Sequence, residues 1–228
     1  MPLEFSCFIS YRHTSVNSGA SYVRDFVAGF EEELARWVNY PISFDEQRLH
    51  AADFIDESLA AKLYSSACMV VLYTPNYFST VKMFCSREYF GMLDLERQRI
   101  PNLPGTIQRG LIIPIALRDQ STMIRHVKSA EEQWNILNGS PVRNRLGPSF
   151  EQFYRKKQLQ PGGNLNAQLQ DICQVIRDRE TAFQALVESG NDPFLNGRDW
   201  RLPSEQAVSS SVNALLGYVR PQLRGEAA

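Results

Sequence analysis

Short apolar runs of strand length alternate, along the first half of the chain, with longer segments whose apolar residues recur at every third or fourth position. The runs occupy residues 5–9, 42–44, 68–73 and 111–117. Neighbouring parallel strands need a long crossover connection, which is usually a helix, whereas antiparallel strands need only a tight turn. The alternation therefore predicts an α/β fold in which helices cover both faces of a parallel sheet.

The segments between and after these runs carry helical spacing. We expect helices around residues 22–37, 53–63, 80–98, 124–137 and 165–187. An aromatic segment at 150–154 is the candidate for a fifth strand. We expect residues 1–190 to form one domain, and residues 191–228 to supply a linker and a C-terminal helix that Ser204 caps.

Polar residues follow the first apolar run within the stretch FSCFISYRH. Ser10, Tyr11, Arg12 and His13 come where that strand is expected to end. Ligands of open parallel sheets bind just beyond the carboxyl ends of the strands, where loops diverge around a switch in strand order. These residues are therefore candidates for a binding site, although the same pattern fits the start of a solvated loop.

A carboxylate lies on the apolar side of the third predicted helix. At about 100° per residue, Glu88 falls within the same arc as several apolar neighbours. These neighbours are Phe84, Cys85, Met92 and Leu95. A carboxylate that faces the protein costs on the order of several kcal/mol unless it is paired, protonated or at a cleft. Glu88 is therefore a functional carboxylate or the partner of an arginine in a salt bridge, or the helix is rotated from this estimate.

The overall charge and composition argue against some classes of function. The chain of 228 residues has a formal net charge of -1, which gives no general attraction to nucleic acid or to an anionic membrane. No apolar run approaches the roughly 18 residues that a membrane span needs, and the N-terminus lacks a signal-peptide pattern. We therefore expect a soluble, cytoplasmic protein that binds neither nucleic acid nor a membrane.

The spacing of cysteine and histidine argues against disulfide and metal chemistry. The cysteines are Cys7, Cys68, Cys85 and Cys173. They form no CxxC pair, which favours buried free thiols in a reducing compartment. His13, His50 and His126 lack metal-ligand spacing, so we expect no metal site and interpret these histidines as solvated residues or loop anchors.

Four short motifs together resemble those of a Toll/interleukin-1 receptor (TIR) domain. They are CFISYRH at 7–13, FDEQRLHAADF at 44–54, VVLYTPNYF at 70–78 and FCSRE at 84–88. Their order and spacing match that family over residues 4–117, and the similarity extends toward residue 190, as in bacterial members. The resemblance implies a flavodoxin-like fold, with a five-stranded parallel sheet in the order 2-1-3-4-5 and helices on both faces.

The resemblance also implies a reaction and a site. In TIR domains that are enzymes, a glutamate on the third helix cleaves the bond between nicotinamide and ribose in NAD, and Glu88 matches that glutamate. NAD is then the substrate, no separate cofactor is expected, and the product is ADP-ribose or a cyclic isomer of it. The residues that match substrate-binding positions are Ser10, Tyr11, Arg12, Phe44, Asp45 and Phe84.

The loop at 45–53 matches one that commonly mediates contacts between TIR protomers. Its matching residues are Arg48, Leu49, His50 and Ala52, the last standing where many members have glycine. The implied partners are a second copy of the chain and a separate effector or activator protein, because the chain resembles the TIR component of Thoeris-type antiphage defence.

Many TIR domains are non-catalytic adaptors, so two hypotheses stay open. The first is an NAD-cleaving enzyme that produces an immune signal, and the second is an interaction module that assembles a signalling complex. Glu88 favours the enzyme, because an adaptor has no need of a carboxylate on the inner side of this helix.

Overall fold

Four short strands form one parallel sheet in the computed structural model, which describes residues 3–12, 19–44, 55–103, 107, 110–138, 147–150, 164–194 and 201–224. The strands are β1 (Cys7–Tyr11), β2 (Ile42–Phe44), β3 (Met69–Tyr73) and β4 (Ile112–Ala116). Their order across the sheet is β2-β1-β3-β4, and every neighbouring pair is parallel. The α/β fold with a parallel sheet, predicted from the alternation, is confirmed.

Strands β3 and β4 are apolar along their whole length because both faces of the sheet are covered. Every residue of β1, β3 and β4 is buried. A sheet with one solvated face would instead show alternating polar residues. The strand boundaries differ from the prediction mainly in β1, which was expected to end at Ile9 but continues through Ser10 and Tyr11, since these pair with Val71 and Leu72 of β3.

The structure describes six α-helices. They are α1 (Gly19–Leu34), α2 (Ile55–Tyr64), α3 (Phe84–Arg99), α4 (Gln120–Asn138), α5 (Asn164–Glu188) and α6 (Glu205–Arg224). The predicted start of α3 near residue 80 was wrong. The Ser79 side chain accepts the Val81 N–H at 3.2 Å, and such a local bond competes with helix formation. Trp37, expected on the first helix, lies in a turn beyond its end.

A short segment lies beside β4 where a fifth strand was expected. Ser149 forms an isolated parallel bridge with Ala116. The Ala116 N–H donates to the Pro148 carbonyl at 3.0 Å, and the Phe150 N–H donates to the Ala116 carbonyl at 2.8 Å. Residues 151–154 lie outside the described residues, so the fifth strand stays a prediction.

The C-terminal part of the chain packs onto the helices that flank the sheet. Helix α6 lies against α3 and α4. The Ser204 hydroxyl accepts the Ala207 N–H at 3.2 Å, which confirms the predicted N-cap. Leu202, Val208 and Val212 are buried in the same core as the sheet. None of the helices in the described part of the chain is long and apolar enough to cross a membrane.

Candidate functional site

The strand order places a switch point between β1 and β3. The chain passes from β1 to β2 on one side, and then crosses to β3 on the other side. Ligands of open α/β sheets bind at such a point, outside the carboxyl ends of the strands. Here these ends are Tyr11 and Tyr73. Helix α3, which follows β3 in the chain, lies against β1 at this place.

Glu88 projects from α3 into the protein and reaches the end of β1. Its exposed fraction is 0%, as is that of Ser10. The Ser10 hydroxyl lies 2.5 Å from Glu88 Oε2 and donates to it. The inward orientation predicted from helical spacing is therefore confirmed, and the structure adds a hydrogen-bond partner that lies 78 positions earlier in the sequence.

Tyr77 extends this contact by one further hydroxyl group. Its Oη lies 2.6 Å from Ser10 Oγ, and the residue has 0% exposure. Burial raises the pKa of Tyr77 well above its usual value, and nearby Cys85 and Glu88 raise it further. This role of Tyr77 was not predicted from the sequence. Tyr77 lies in the motif that follows β3, and only the adjacency of β1 and β3 reveals its partner.

Other predicted substrate-binding residues lie at the end of β1 and the start of α3. Tyr11 is buried, whereas Arg12 and Phe84 are half-buried. The Arg12 guanidinium donates to the Lys82 carbonyl oxygen at 3.5 Å, so the end of β1 reaches the segment before α3. Phe84 is the first residue of α3 and lies about one turn before Glu88 on the same side.

The remaining site predictions concern β2 and the loop after it. Phe44 is the last residue of β2, and its backbone pairs with Ile9. The predicted residues beyond the strand are Asp45, Arg48, Leu49, His50 and Ala52. All five lie outside the described residues, so their assignment to substrate binding and self-association stays a prediction.

A second pair of polar side chains lies at the carboxyl end of β3. The Tyr73 hydroxyl is 2.7 Å from His126 Nδ1. Burial, together with a smaller effect of Arg125, lowers the pKa of His126 to about 4. His126 Nε2 has no hydrogen-bond partner within the described part of the chain. The prediction of a solvated histidine or a loop anchor was wrong, because His126 lies inside α4 and packs edge-on against the Tyr73 and Phe78 rings.

Aromatic rings connect the two polar clusters. The Tyr73 and Tyr77 ring centroids are 6.2 Å apart, and Phe78 packs edge-on against both Tyr77 and Tyr89 at 5.1 and 5.3 Å. Contacts with Tyr73 and Phe78 fix the Tyr77 ring and with it the position of the Tyr77 hydroxyl group.

Contacts with α4 and the C-terminal segment hold α3 from its outer side. The Tyr89 hydroxyl donates to Glu131 at 2.9 Å, and Phe90 stacks on Trp134 with centroids 4.5 Å apart. Arg87 Nε donates to the Pro203 carbonyl at 2.7 Å. Twelve of the sixteen residues of α3 are buried, so the helix that carries Glu88 is a central element and not a surface helix.

The four cysteines are free and buried, as expected. Within the ranges that the structure describes, no three histidine, cysteine, aspartate or glutamate side chains converge in a way that could hold a metal ion.

No protein-family model matches the sequence, and no curated protein matches it significantly. Among solved structures, the chain is similar to the TIR domains in the structure of the activated Roq1 resistosome directly recognizing the pathogen effector XopQ. The two chains are 18% identical, the match covers 93% of this chain and 98% of the other, and the TM-score is 0.36.

Proposed function

We propose that this chain is a TIR-domain enzyme that cleaves the nicotinamide–ribose bond of NAD, with Glu88 as the catalytic carboxylate. The observation that carries the proposal is a fully buried, hydrogen-bonded carboxylate at the switch point of an open parallel sheet. The motif resemblance supplies the reaction.

The chemistry needs a carboxylate and no general acid. The C1′–N bond breaks with both electrons leaving on nicotinamide, which departs as a neutral molecule because it was cationic in NAD. The ribose is left as an oxocarbenium-like cation, which a nearby carboxylate stabilises electrostatically. The low dielectric of a buried position strengthens this attraction.

The acceptor at C1′ decides the product. Water that adds there and loses a proton gives ADP-ribose. A nitrogen of the adenine ring that attacks instead gives a cyclic ADP-ribose isomer, which is lighter by one water.

The exposure of the candidate residues assigns them different parts. Phe84 and Arg12 are half-buried, and we propose that they meet an aromatic ring and a phosphate of NAD. We also propose, from the resemblance, that Phe44 and Asp45 contribute to substrate binding. Ser10, Tyr11 and Glu88 are buried. NAD binding must therefore uncover the carboxylate.

The same resemblance supplies the biological setting of the proposal. We propose that the product is an immune signal in antiphage defence and that a separate effector or activator protein acts with this chain. We also propose that copies of the chain associate through Arg48, Leu49, His50 and Ala52.

One observation favours the alternative, a non-catalytic TIR interaction module. Glu88 has 0% exposure and already accepts a hydrogen bond from the Ser10 hydroxyl group. A carboxylate satisfied in this way serves equally well to tie α3 to β1.

The deciding experiment incubates NAD with the purified protein and measures nicotinamide by chromatography with mass detection. Glu88→Gln keeps the shape and removes the charge. Glu96→Gln is the matched control, because Glu96 is a second buried glutamate of α3, about 12 Å further along the helix, that accepts the Leu111 N–H at 2.6 Å.

We expect nicotinamide release by the wild type and Glu96→Gln, and a loss of at least about 100-fold in Glu88→Gln. Equal turnover by Glu88→Gln and the wild type would refute the assignment of Glu88. No release by the wild type, at low concentration or under crowding that promotes assembly, would favour the interaction module.

A further inference from the structure

Three buried side chains from three separate elements form a continuous hydrogen-bonded chain. Tyr77 comes from the turn after β3, Ser10 from β1, and Glu88 from α3. The Tyr77–Ser10 distance is 2.6 Å and the Ser10–Glu88 distance is 2.5 Å. Each residue has 0% exposure, so bulk water does not substitute for any member of the chain.

The ionised state of Glu88 fixes the direction of both hydrogen bonds. A carboxylate only accepts hydrogen bonds, so the single O–H of Ser10 must donate to Glu88. Ser10 Oγ can then only accept a hydrogen bond from the Tyr77 hydroxyl group. Tyr77 keeps its proton because burial, Cys85 and Glu88 all raise its pKa. A protonated Glu88 permits the reverse direction, so the order of donors follows the charge on Glu88.

We infer that Tyr77 is a positioning residue that acts through Ser10 to hold Glu88 ionised and correctly oriented; this inference rests on the proposed function. Burial alone favours the neutral carboxylic acid, which does not stabilise an oxocarbenium-like ribose. Hydrogen bonds donated to the carboxylate favour the charged form, and a donor behind Ser10 polarises its hydroxyl group further.

Among the described residues, the titratable groups that act on Tyr77 are Cys85, Glu88 and Tyr89, all from α3. Cys85 and Tyr89 are uncharged while their protons are in place, and Ser10 from β1 does not titrate.

The test compares two variants that each remove one buried tyrosine hydroxyl group. Tyr77→Phe removes the donor to Ser10. Tyr73→Phe is the matched control, because the Tyr73 ring lies 6.2 Å from Tyr77 but its hydroxyl group binds His126 instead. Ser10→Ala removes both hydrogen bonds of the chain and serves as the second variant.

The first readout is the pH profile of kcat/KM for NAD cleavage, whose acidic limb reports the essential carboxylate in the free enzyme. In Ser10→Ala we expect this limb to move to higher pH by about one unit or more. In Tyr77→Phe it moves in the same direction by about half a unit. Tyr73→Phe leaves it in place.

The second readout does not depend on activity. The side-chain carboxyl carbon of Glu88 is titrated by carbon-13 NMR and assigned by its absence in Glu88→Gln. We expect the same upward shifts of its titration midpoint in Tyr77→Phe and Ser10→Ala, with Tyr73→Phe matching the wild type. Circular dichroism tests whether each variant is folded. If Tyr77→Phe does not fold, the titration of Ser10→Ala tests the hydrogen-bonded chain instead.

The two readouts separate this inference from the proposed function. An unshifted midpoint in folded Tyr77→Phe and Ser10→Ala overturns the inference, whether or not NAD is cleaved. If the Glu88 titration midpoints shift but the protein never cleaves NAD, the inference about Tyr77 and Ser10 is supported and the proposed catalysis is overturned. A shift of equal size in Tyr73→Phe also overturns the inference, because the effect would then follow from any lost tyrosine hydroxyl group.

Discussion

Arg99 and Asp192 form an ion pair in which both side chains have 0% exposure, although 93 positions of sequence separate them. The guanidinium also donates to the Tyr64 carbonyl at 2.6 Å and lies 4.2 Å above the Phe183 ring. Burial lowers the pKa of Arg99, and Asp192 partly offsets this effect. One side chain of α3 therefore joins α2, α5 and the segment that follows α5.

Removing Asp192 leaves a buried cation without its counter-charge. We expect Asp192→Ala to lower the free energy of unfolding by about 3–5 kcal/mol, as measured by urea denaturation. The control is Glu32→Gln, which removes the partner of Arg36 from a pair whose side chains are 77% and 64% exposed, and which costs less than about 1 kcal/mol. Equal losses in both variants would contradict the structural role of the Arg99 pair.

The stability of Ser10 and Glu88 variants shows whether Glu88 is a functional carboxylate or a purely structural one. Ser10→Ala removes a donor to a buried carboxylate, so we expect it to lower the free energy of unfolding by about 1–3 kcal/mol. Glu88→Gln removes the buried charge and keeps an acceptor oxygen, so we expect a change of less than about 1 kcal/mol or a gain. Urea unfolding of the two single variants and the double variant measures the coupling between them. A large loss in Glu88→Gln would favour a purely structural carboxylate.

His126 makes the fold sensitive to mild acid. Its pKa is about 4 in the folded protein against an ordinary 6.5, so the unfolded chain takes up a proton in this window while the folded protein does not. The free energy of unfolding therefore falls as the pH is lowered from about 6.5 to 4, by at most about 1.4 kcal/mol per unit from this residue. Urea denaturation across that range should show a shallower slope for His126→Gln. An unchanged slope would contradict a buried, neutral His126.

Gly91 reports how closely the C-terminal segment packs on α3. A Cβ atom at this position would lie 3.3 Å from methyl groups of both Leu63 and Leu202, and 3.4 Å from Pro203. We expect Gly91→Ala to be nearly neutral, because leucine ends can shift and alanine favours a helix. Gly91→Val overfills the same space and should cost about 1–3 kcal/mol. Hydrogen exchange along α6 provides the local measurement, and unchanged protection in Gly91→Val would contradict this contact.

The sequence predicted the features that depend on local periodicity. Alternating runs predicted the parallel sheet, and helical spacing placed Glu88 on the inner side of α3. Ser10 was expected beyond the end of β1 because the apolar run stops at Ile9. It lies within the strand instead, where its hydroxyl group finds a partner on a distant helix.

Features that depend on contacts between distant segments were not predictable. Tyr77 meets Ser10 only because β1 and β3 are neighbours in the sheet. Arg99 lies near the end of a helix, where a cation is usually exposed. Its burial was not predictable because its counter-charge, Asp192, lies in a segment interpreted as a linker.

The packing of residues 201–203 and α6 changes how a minimal version of this protein should be chosen. A chain shortened at residue 190, where the family resemblance ends, would lose Asp192 beside Arg99, Leu202 beside Gly91, and the carbonyl that receives the Arg87 proton. It would expose apolar surface on the helix that carries Glu88, and it would be prone to aggregate. If such a fragment failed to cleave NAD, the cause would be a damaged α3 and not a lack of activity in the full chain.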